Sequence, residues 1–290
     1  MPEGDTVHKL VNAMRPLLEG RALAKLWLRD RGDVPELAGE RVAEVAALGK
    51  HFLFVLGERA VLHVHLGMNG KWLRYARGQR WTRSAATAVV RLDTADWSFV
   101  CHQAPVCELL RRRDVALHPV LSRLGPDLLA PEIDLDLVVA RARRREARSA
   151  AELLLDQRVA CGVGNVYKSE VLFAERVHPE RDPRTLGDDA IAALYATARS
   201  LLRQNLGGWK RTTVRALAPG ESLPLGMPRL FVYGRGGEPC LRCGARIASR
   251  LHGDDARSTY WCPRCQPAQG AAGAGRGPYA ASHGSPRGAA

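Results

Sequence analysis

Residues 49–76 read GKHFLFVLGERAVLHVHLGMNGKWLRYA. Two short runs, Phe52–Leu56 and Val61–Leu66, are set off by Gly49, Gly57 and Gly67, and a third, Trp72–Tyr75, follows Gly70. Short runs rich in branched and aromatic residues with turn residues between them make strands that pair with their neighbours in antiparallel fashion. The same pattern extends from Ala22 to Arg113, with further strands expected at Ala22–Trp27, Arg41–Ala47, Ala88–Leu92 and Ser98–His102. An antiparallel β-sandwich is the predicted result.

On the N-terminal side, Val7, Leu10, Val11, Met14, Leu17 and Leu18 recur at the spacing of an amphipathic helix, with Asp5 or Thr6 available as its cap and Gly20 as its end. Beyond the sandwich, Leu124-Gly125-Pro126-Asp127 and Ala130-Pro131 interrupt the chain, and helical periodicity follows at Leu135–Arg145, Ala150–Asp156, Val166–Arg176 and Asp188–Gln204. The fold class is therefore α+β. The expected organisation is a sandwich domain over 1–121, a linker over 122–134, a helical domain over 135–225, a cysteine-rich hairpin over 226–267 and a disordered Gly/Ala/Ser/Pro tail over 268–290.

A formal charge of +13 and a pI near 9.9 point to a polyanionic partner. The 37 arginines against six lysines favour the side chain that grips phosphate bidentately. A solvated basic face explains any single run equally well. There is no membrane-spanning apolar run and no secretory leader, so no membrane partner is expected. The expected compartment is the cytoplasm, where a disulfide framework for seven cysteines is disfavoured.

Four of those cysteines fall into two close pairs, Cys240-x2-Cys243 and Cys262-x2-Cys265, separated by 18 residues. A hairpin would bring the pairs onto one tetrahedral Zn2+, and four thiolates close the shell, so the ion is structural. Ser258–Trp261 reads as a strand leading into the second pair, and the segment from Arg246 to Arg257 as a loop that the hairpin would use to present Arg246, Arg250, His252 and Arg257 to phosphates or a groove. Cys101, Cys107 and Cys161 have no partners at ligand spacing and are expected to be small buried or half-buried residues.

Met1-Pro2-Glu3 opens the chain. Removing the methionine would expose a secondary amine, and a terminal amine titrates at about 7.7–8.0, leaving a nucleophilic neutral fraction at physiological pH. A start codon followed by a residue permissive for processing is the ordinary explanation. Further along, Leu153 to Arg158 leads through Gly162-Val163-Gly164 into Asn165-Val166-Tyr167, a helix, glycine turn and helix. That turn serves either a close ligand approach or tight interhelical packing.

Taken in order, Pro2-Glu3, Gly49-Lys50, His65-Leu66-Gly67-Met68-Asn69-Gly70, Leu155-Asp156-Gln157-Arg158 through Gly164-Asn165 and the cysteine quartet resemble the formamidopyrimidine-DNA glycosylase and endonuclease VIII family of base-excision repair enzymes. The resemblance runs from Pro2 to Gln266. It implies an N-terminal sandwich, a helix-two-turn-helix domain and a zinc finger, acting as a monomer on damaged duplex DNA in the bacterial cytosol or nucleoid. It further implies that Pro2 attacks C1′ of a flipped nucleotide, that Glu3 transfers protons, and that Lys50 contacts phosphate and assists. His65, Asn165, Arg257 and Arg158 would hold phosphates and Met68 would fill the space left by the flipped base. Two departures stand out: Ala104-Pro105-Val106-Cys107-Glu108-Leu109 replaces an Arg-Phe pair of the formamidopyrimidine branch, and Asp5-Thr6-Val7 replaces a second acidic residue. The start Pro2-Glu3-Gly4-Asp5 and the missing pair resemble the endonuclease VIII branch, which implies oxidised pyrimidines as substrates. The alternatives are an oxidised-purine glycosylase on the same scaffold and a non-catalytic zinc-finger DNA-binding protein.

Overall fold

In the computed structural model of the 290-residue chain, residues 2–208, 210–215, 221–252 and 257–268 are described. The expected tail from 269 onward lies outside them. The described residues form two compact units, one drawn from 2–133, 160–163 and 205–208, the other from 134–159, 164–204 and the described residues between 210 and 268.

The first unit begins with helix α1 (Gly4–Leu18) and continues through β1 (Lys25–Leu28), β2 (Gly32–Asp33), β3 (Val42–Leu48), β4 (His51–Leu56), β5 (Ala60–His65), β6 (Lys71–Ala76), β7 (Ala88–Asp93), β8 (Trp97–His102) and β9 (Val106–Arg111). These strands make two antiparallel sheets, ordered β2-β1-β7-β8-β6 and β3-β4-β5-β9. Alternation decides what each sheet buries. Phe52, Phe54, Leu62 and Val64 of β4 and β5 join Leu26, Val90, Leu92, Phe99 and Cys101 in one core, into which α1 inserts Val7, Val11, Met14 and Leu18. The two strands of this unit absent from the sequence reading are β2, only two residues long, and β9. Strand β9 is half-buried along most of its length and runs into the basic stretch Arg111-Arg112-Arg113, which hides its alternation.

The expected cap of α1 is corrected. Glu3, not Asp5 or Thr6, is the N-cap; its backbone is extended and its carbonyl accepts hydrogen bonds from Thr6 N and Val7 N, with no side-chain cap. The Asp5 carboxylate is instead buried against Lys9 Nζ at 3.2 Å. Gly20 follows the helix with φ +74°, a conformation that glycine adopts without strain.

The second unit holds α2 (Leu135–Arg143), α3 (Ala150–Leu155), α4 (Asn165–Ala174), α5 (Asp188–Gln204) and the hairpin β10 (Ala248–His252) with β11 (Arg257–Trp261). Asp134 and Ser149 cap α2 and α3 through their side chains. Helix α4 is buried along its whole length because α3, α5 and β11 pack around it. Within the expected loop, Ala248–His252 is instead a strand paired with β11, and Arg246 is occupied with the Gly237 carbonyl. No described helix is long and apolar enough to cross a membrane.

Candidate active site and zinc centre

In the first unit, the short segment Ala160–Val163 holds two separate parts of the sandwich. Gly4 N donates to the Gly162 carbonyl at 2.9 Å, and Lys50 Nζ donates to the next carbonyl, that of Val163, at 3.0 Å. The fit is close enough to require glycine on both sides of the contact. A Cβ on Gly4 would meet the Gly162 backbone at 2.9 Å, and one on Gly49 would meet Cys161 at 2.7 Å. Pro2 is thereby anchored at the start of a docked helix, half-buried, with the Glu3 carboxylate beside it fully buried.

Asp127 fixes the turn that carries Lys50. Its Oδ2 accepts from Gly49 N at 2.7 Å and lies 2.9 Å from His8 Nε2, while its Oδ1 accepts from Leu129 N at 2.8 Å. In the sequence Asp127 reads only as punctuation within the expected linker. Nothing local marks it, since its partners lie up to 119 residues away.

His65 ends β5, opposite His51 at the start of β4, with their rings 4.7 Å apart. Its Nδ1 accepts from Gly67 N at 3.3 Å, so the neutral ring presents Nε2–H as a donor. Burial first, then Lys50 and His63, pushes its pKa down to about 4. A neutral donor suits a phosphate oxygen without adding charge. Met68, in the following turn, is 74% exposed and so is not part of the core.

The second unit contains the remaining phosphate candidates and the cysteines. Asn165 opens α4 but is buried, its Oδ1 accepting from Lys168 Nζ at 2.8 Å and its Nδ2 directed to Ser258 Oγ at 3.4 Å. Lys168 is fully buried and also donates to the Ser258 carbonyl at 3.1 Å and Thr259 Oγ1 at 2.7 Å, joining α4 to β11. Sequence reasoning missed this residue because a lysine within a helix signals solvent unless its acceptors, some 90 residues on, are known. Arg257 is half-buried at the start of β11. Arg158 grips Asp156 with two 2.7 Å bonds and keeps that carboxyl below its usual range even though burial opposes the shift.

Cys240, Cys243, Cys262 and Cys265 converge with all four sulfurs within 4.8 Å of one another. Arg242 N and Cys265 N each donate to a cysteine sulfur at 3.4 Å, stabilising negative charge there, and Gly244 takes φ +76° to turn the chain after the first knuckle. This donor set fits one tetrahedral structural zinc, with no coordination position left for a substrate. The other three cysteines are buried or half-buried. Burial raises the pKa of both Cys101 and Cys161 well above the usual thiol range. They behave as packing residues.

The chain matches the profile of the formamidopyrimidine-DNA glycosylase N-terminal domain over residues 1–104, that of the formamidopyrimidine-DNA glycosylase H2TH domain over 124–215, and that of the zinc finger found in FPG and IleRS over 237–268. It is 38% identical to the probable endonuclease 8 2 of Streptomyces coelicolor across 92% of this chain and 94% of that protein. It is 37% identical to the DNA-(apurinic or apyrimidinic site) lyase Nei2 of Mycolicibacterium smegmatis, across 92% of this chain and 100% of that one. Among solved structures, Lactococcus lactis formamidopyrimidine-DNA glycosylase bound non-covalently to DNA containing an abasic site shares the fold, with TM-score 0.75 and 22% identity over 92% of this chain and 100% of that one. The docked N-terminus, the Lys50 turn, the helical unit and the zinc hairpin thus occur in a chain that belongs to the formamidopyrimidine-DNA glycosylase and endonuclease VIII family.

Proposed function

We propose that this protein is a bifunctional DNA glycosylase and abasic-site lyase of base-excision repair, acting on oxidised bases, pyrimidines in particular, through its N-terminal proline. The observation that carries this reading is the pair of adjacent carbonyls, Gly162 and Val163, that holds the start of α1 and Lys50 to one short segment, with Glu3 buried beside Pro2. A nucleophile meant to reach one carbon of a sugar must be placed to within a fraction of an ångström. A fraying N-terminus does not achieve that.

The target nucleotide leaves the stack, since C1′ is out of reach inside a duplex. After methionine removal, the Pro2 nitrogen lone pair forms a bond to C1′ as the glycosidic bond breaks, and the base departs with that electron pair and a proton. The nitrogen then gives up its proton and its lone pair forms the C1′=N bond as the C1′–O4′ bond breaks and O4′ takes a proton, opening the sugar; the resulting iminium cannot be neutralised by losing a nitrogen proton. Its charge acidifies C2′; loss of the C2′ proton forms the C2′–C3′ double bond as the 3′ phosphate leaves with its electron pair. A second elimination removes the 5′ phosphate by the same logic. Glu3 is proposed to transfer protons in these steps, and Lys50 to contact phosphate and assist the chemistry; for any proton-transfer part of that assistance arginine would be a poor substitute, because it does not deprotonate.

The exposure of Met68 supports its use as the side chain that occupies the vacated stack. His65, Asn165, Arg257 and Arg158 are proposed as phosphate contacts. Asn165 would act from a pre-ordered position set by Lys168, and Arg158 by exchanging Asp156 for phosphate. The catalytic work falls to 1–121, duplex binding to 135–225 and the hairpin at 226–267, and the protein acts as a monomer in the bacterial cytoplasm, on the nucleoid. The names of the relatives, endonuclease 8 and abasic-site lyase, support the pyrimidine branch.

Borohydride reduction during incubation with a duplex carrying one abasic site tests the reading. A stable covalent adduct is expected with the processed protein and none with a blocked N-terminus. Release of thymine glycol or dihydrouracil should exceed release of 8-oxoguanine; excision of the purine alone would reassign the branch.

A further inference from the structure

The outer face of the β3-β4-β5-β9 sheet carries an array of side chains that none of the steps above uses. Register places His51 opposite His65, and His63 opposite both Leu53 and Glu108, on the face turned away from Phe52, Phe54, Leu62 and Val64. His51 Nδ1 lies 2.8 Å from His63 Nε2, and His63 Nδ1 lies 2.9 Å from Glu108 Oε2. His118 Nε2 reaches the same carboxylate oxygen at 3.0 Å.

The backbone and the carboxylate together set the direction of every bond. His118 Nδ1 accepts from Val120 N and Leu121 N, so its proton sits on Nε2 and is donated to Glu108. Because Glu108 is an acceptor, His63 carries its proton on Nδ1 and offers Nε2 as a lone pair. His51 then donates from Nδ1 and leaves its own Nε2 bare, with no hydrogen bond to a described residue. A metal ion held by His63, Glu108 and His118 would require a bare Nε2 on His118 while Nδ1 also accepts from two backbone amides, which means an imidazolate in place of the neutral ring that donates to Glu108. His51 and His63 are nearly inaccessible, at 7% and 1% exposure, whereas the Glu108 side chain is 43% exposed. The array therefore begins beside Lys50 and His65 and ends in solvent.

We propose that Glu108, His63 and His51 form a proton relay that links the Lys50–His65 end of the sheet to bulk water and serves the elimination step. This rests on the reading of Pro2 as the Schiff-base amine. A proton released from C2′ and delivered to His51 Nε2, directly or through water, bonds there as the Nδ1 proton of His51 passes to His63 Nε2. The Nδ1 proton of His63 passes in turn to Glu108, and protonated Glu108 yields it to solvent. The exit leaves a bare His63 Nδ1 facing an ionised Glu108. The array resets by taking one proton from water along the reverse path, which returns to the site the proton that base departure consumes. One proton leaves and one enters per turnover. Burial and the neighbouring His65, His63, Lys50 and His118 hold the His51 pKa at about 3, so the ring rests neutral and a charged His51 is disfavoured; the proton must therefore arrive at Nε2 as the Nδ1 proton leaves.

The test uses zinc-loaded full-length protein and a preformed abasic-site duplex under single-turnover conditions, with Glu108→Gln and His63→Leu variants. Gln keeps an acceptor for His63 but does not carry a proton onward. Strand cleavage by each variant is expected to slow by about tenfold, less than the roughly hundredfold or more of a group that exchanges protons directly with the reacting atoms. Borohydride trapping should stay within about twofold of wild type, the double variant should be no slower than the slower single one, and millimolar imidazole buffer should speed Glu108→Gln while leaving wild type unchanged. Cleavage by Glu108→Gln at the wild-type rate, or slow cleavage that buffer does not restore, overturns the relay. Failure of wild-type protein to trap overturns the Schiff-base reading instead.

Discussion

Replacing Lys168 with Met should loosen the zinc hairpin while leaving the four cysteines untouched. The ammonium is fully buried and donates to Asn165 Oδ1 at 2.8 Å, Thr259 Oγ1 at 2.7 Å and the Ser258 carbonyl at 3.1 Å. Bonds to a charged donor contribute about 1.5–3 kcal/mol each, and burying the ammonium itself costs several kcal/mol, so the net worth of the lysine over an apolar residue is modest. Truncation differs from that net worth. Met fills the volume but leaves three acceptors without this donor where water does not reach, at about 1–3 kcal/mol for each orphaned group before relaxation. Allowing for relaxation, contact between α4 and β11 should weaken by roughly 2–4 kcal/mol, which is about a 30- to 900-fold larger open population. Zinc leaves through that opening, so its transfer to a chromogenic chelator should accelerate in proportion where reclosure is fast. Wild-type zinc content and near-wild-type helix content in Lys168→Met would locate the effect in the hairpin contact. A release rate within about twofold of wild type would refute the reasoning, because it would mean that the three bonds contribute nothing to holding the hairpin.

Asp127→Asn should free the turn that positions Lys50, since an amide does not accept from Gly49, His8 and Leu129 as an ionised carboxylate does; unfolding in urea should show a loss of roughly 1–3 kcal/mol, and single-turnover trapping should slow while affinity for undamaged duplex holds. Acid should weaken the sandwich. The folded His51 pKa of about 3 lies below the unfolded value of 6.5, so its stabilisation is complete above 6.5 and declines as pH falls toward 3. Between pH 7.5 and 5.0 this ring alone should remove about 2 kcal/mol, read by tryptophan fluorescence in urea, and His51→Leu should show a correspondingly smaller loss. Gly49→Ala should strain both the φ of +57° and the contact with Cys161, and the purified variant should unfold at lower urea than wild type.

The β-sandwich was readable because strand, turn glycine and strand alternate within a few residues, and the observed β4, β5 and β6 differ from the expected Phe52–Leu56, Val61–Leu66 and Trp72–Tyr75 by no more than one residue at either end. The zinc centre was readable for a similar reason, since two cysteines three positions apart already form half a coordination shell. Strand β9 was not, because its pairing with β5 comes from more than forty residues away and its side chains are neither cleanly buried nor cleanly exposed. The supports of the site were equally hidden. Asp127, Lys168 and Glu108 are polar residues whose meaning depends on distant acceptors and donors, and a charged residue in a helix or loop reads as solvated until those partners are known. Gly162 was legible only as part of a turn, whereas its carbonyl in fact receives the first amide of α1.

The central claim concerns one nitrogen. Protein incubated with an abasic-site duplex and borohydride, digested and mapped by tandem mass spectrometry, should carry its reduced oligonucleotide linkage on Pro2, the first residue of the processed chain. Linkage at Lys50, or at any other amine with Pro2 unmodified, would contradict the account.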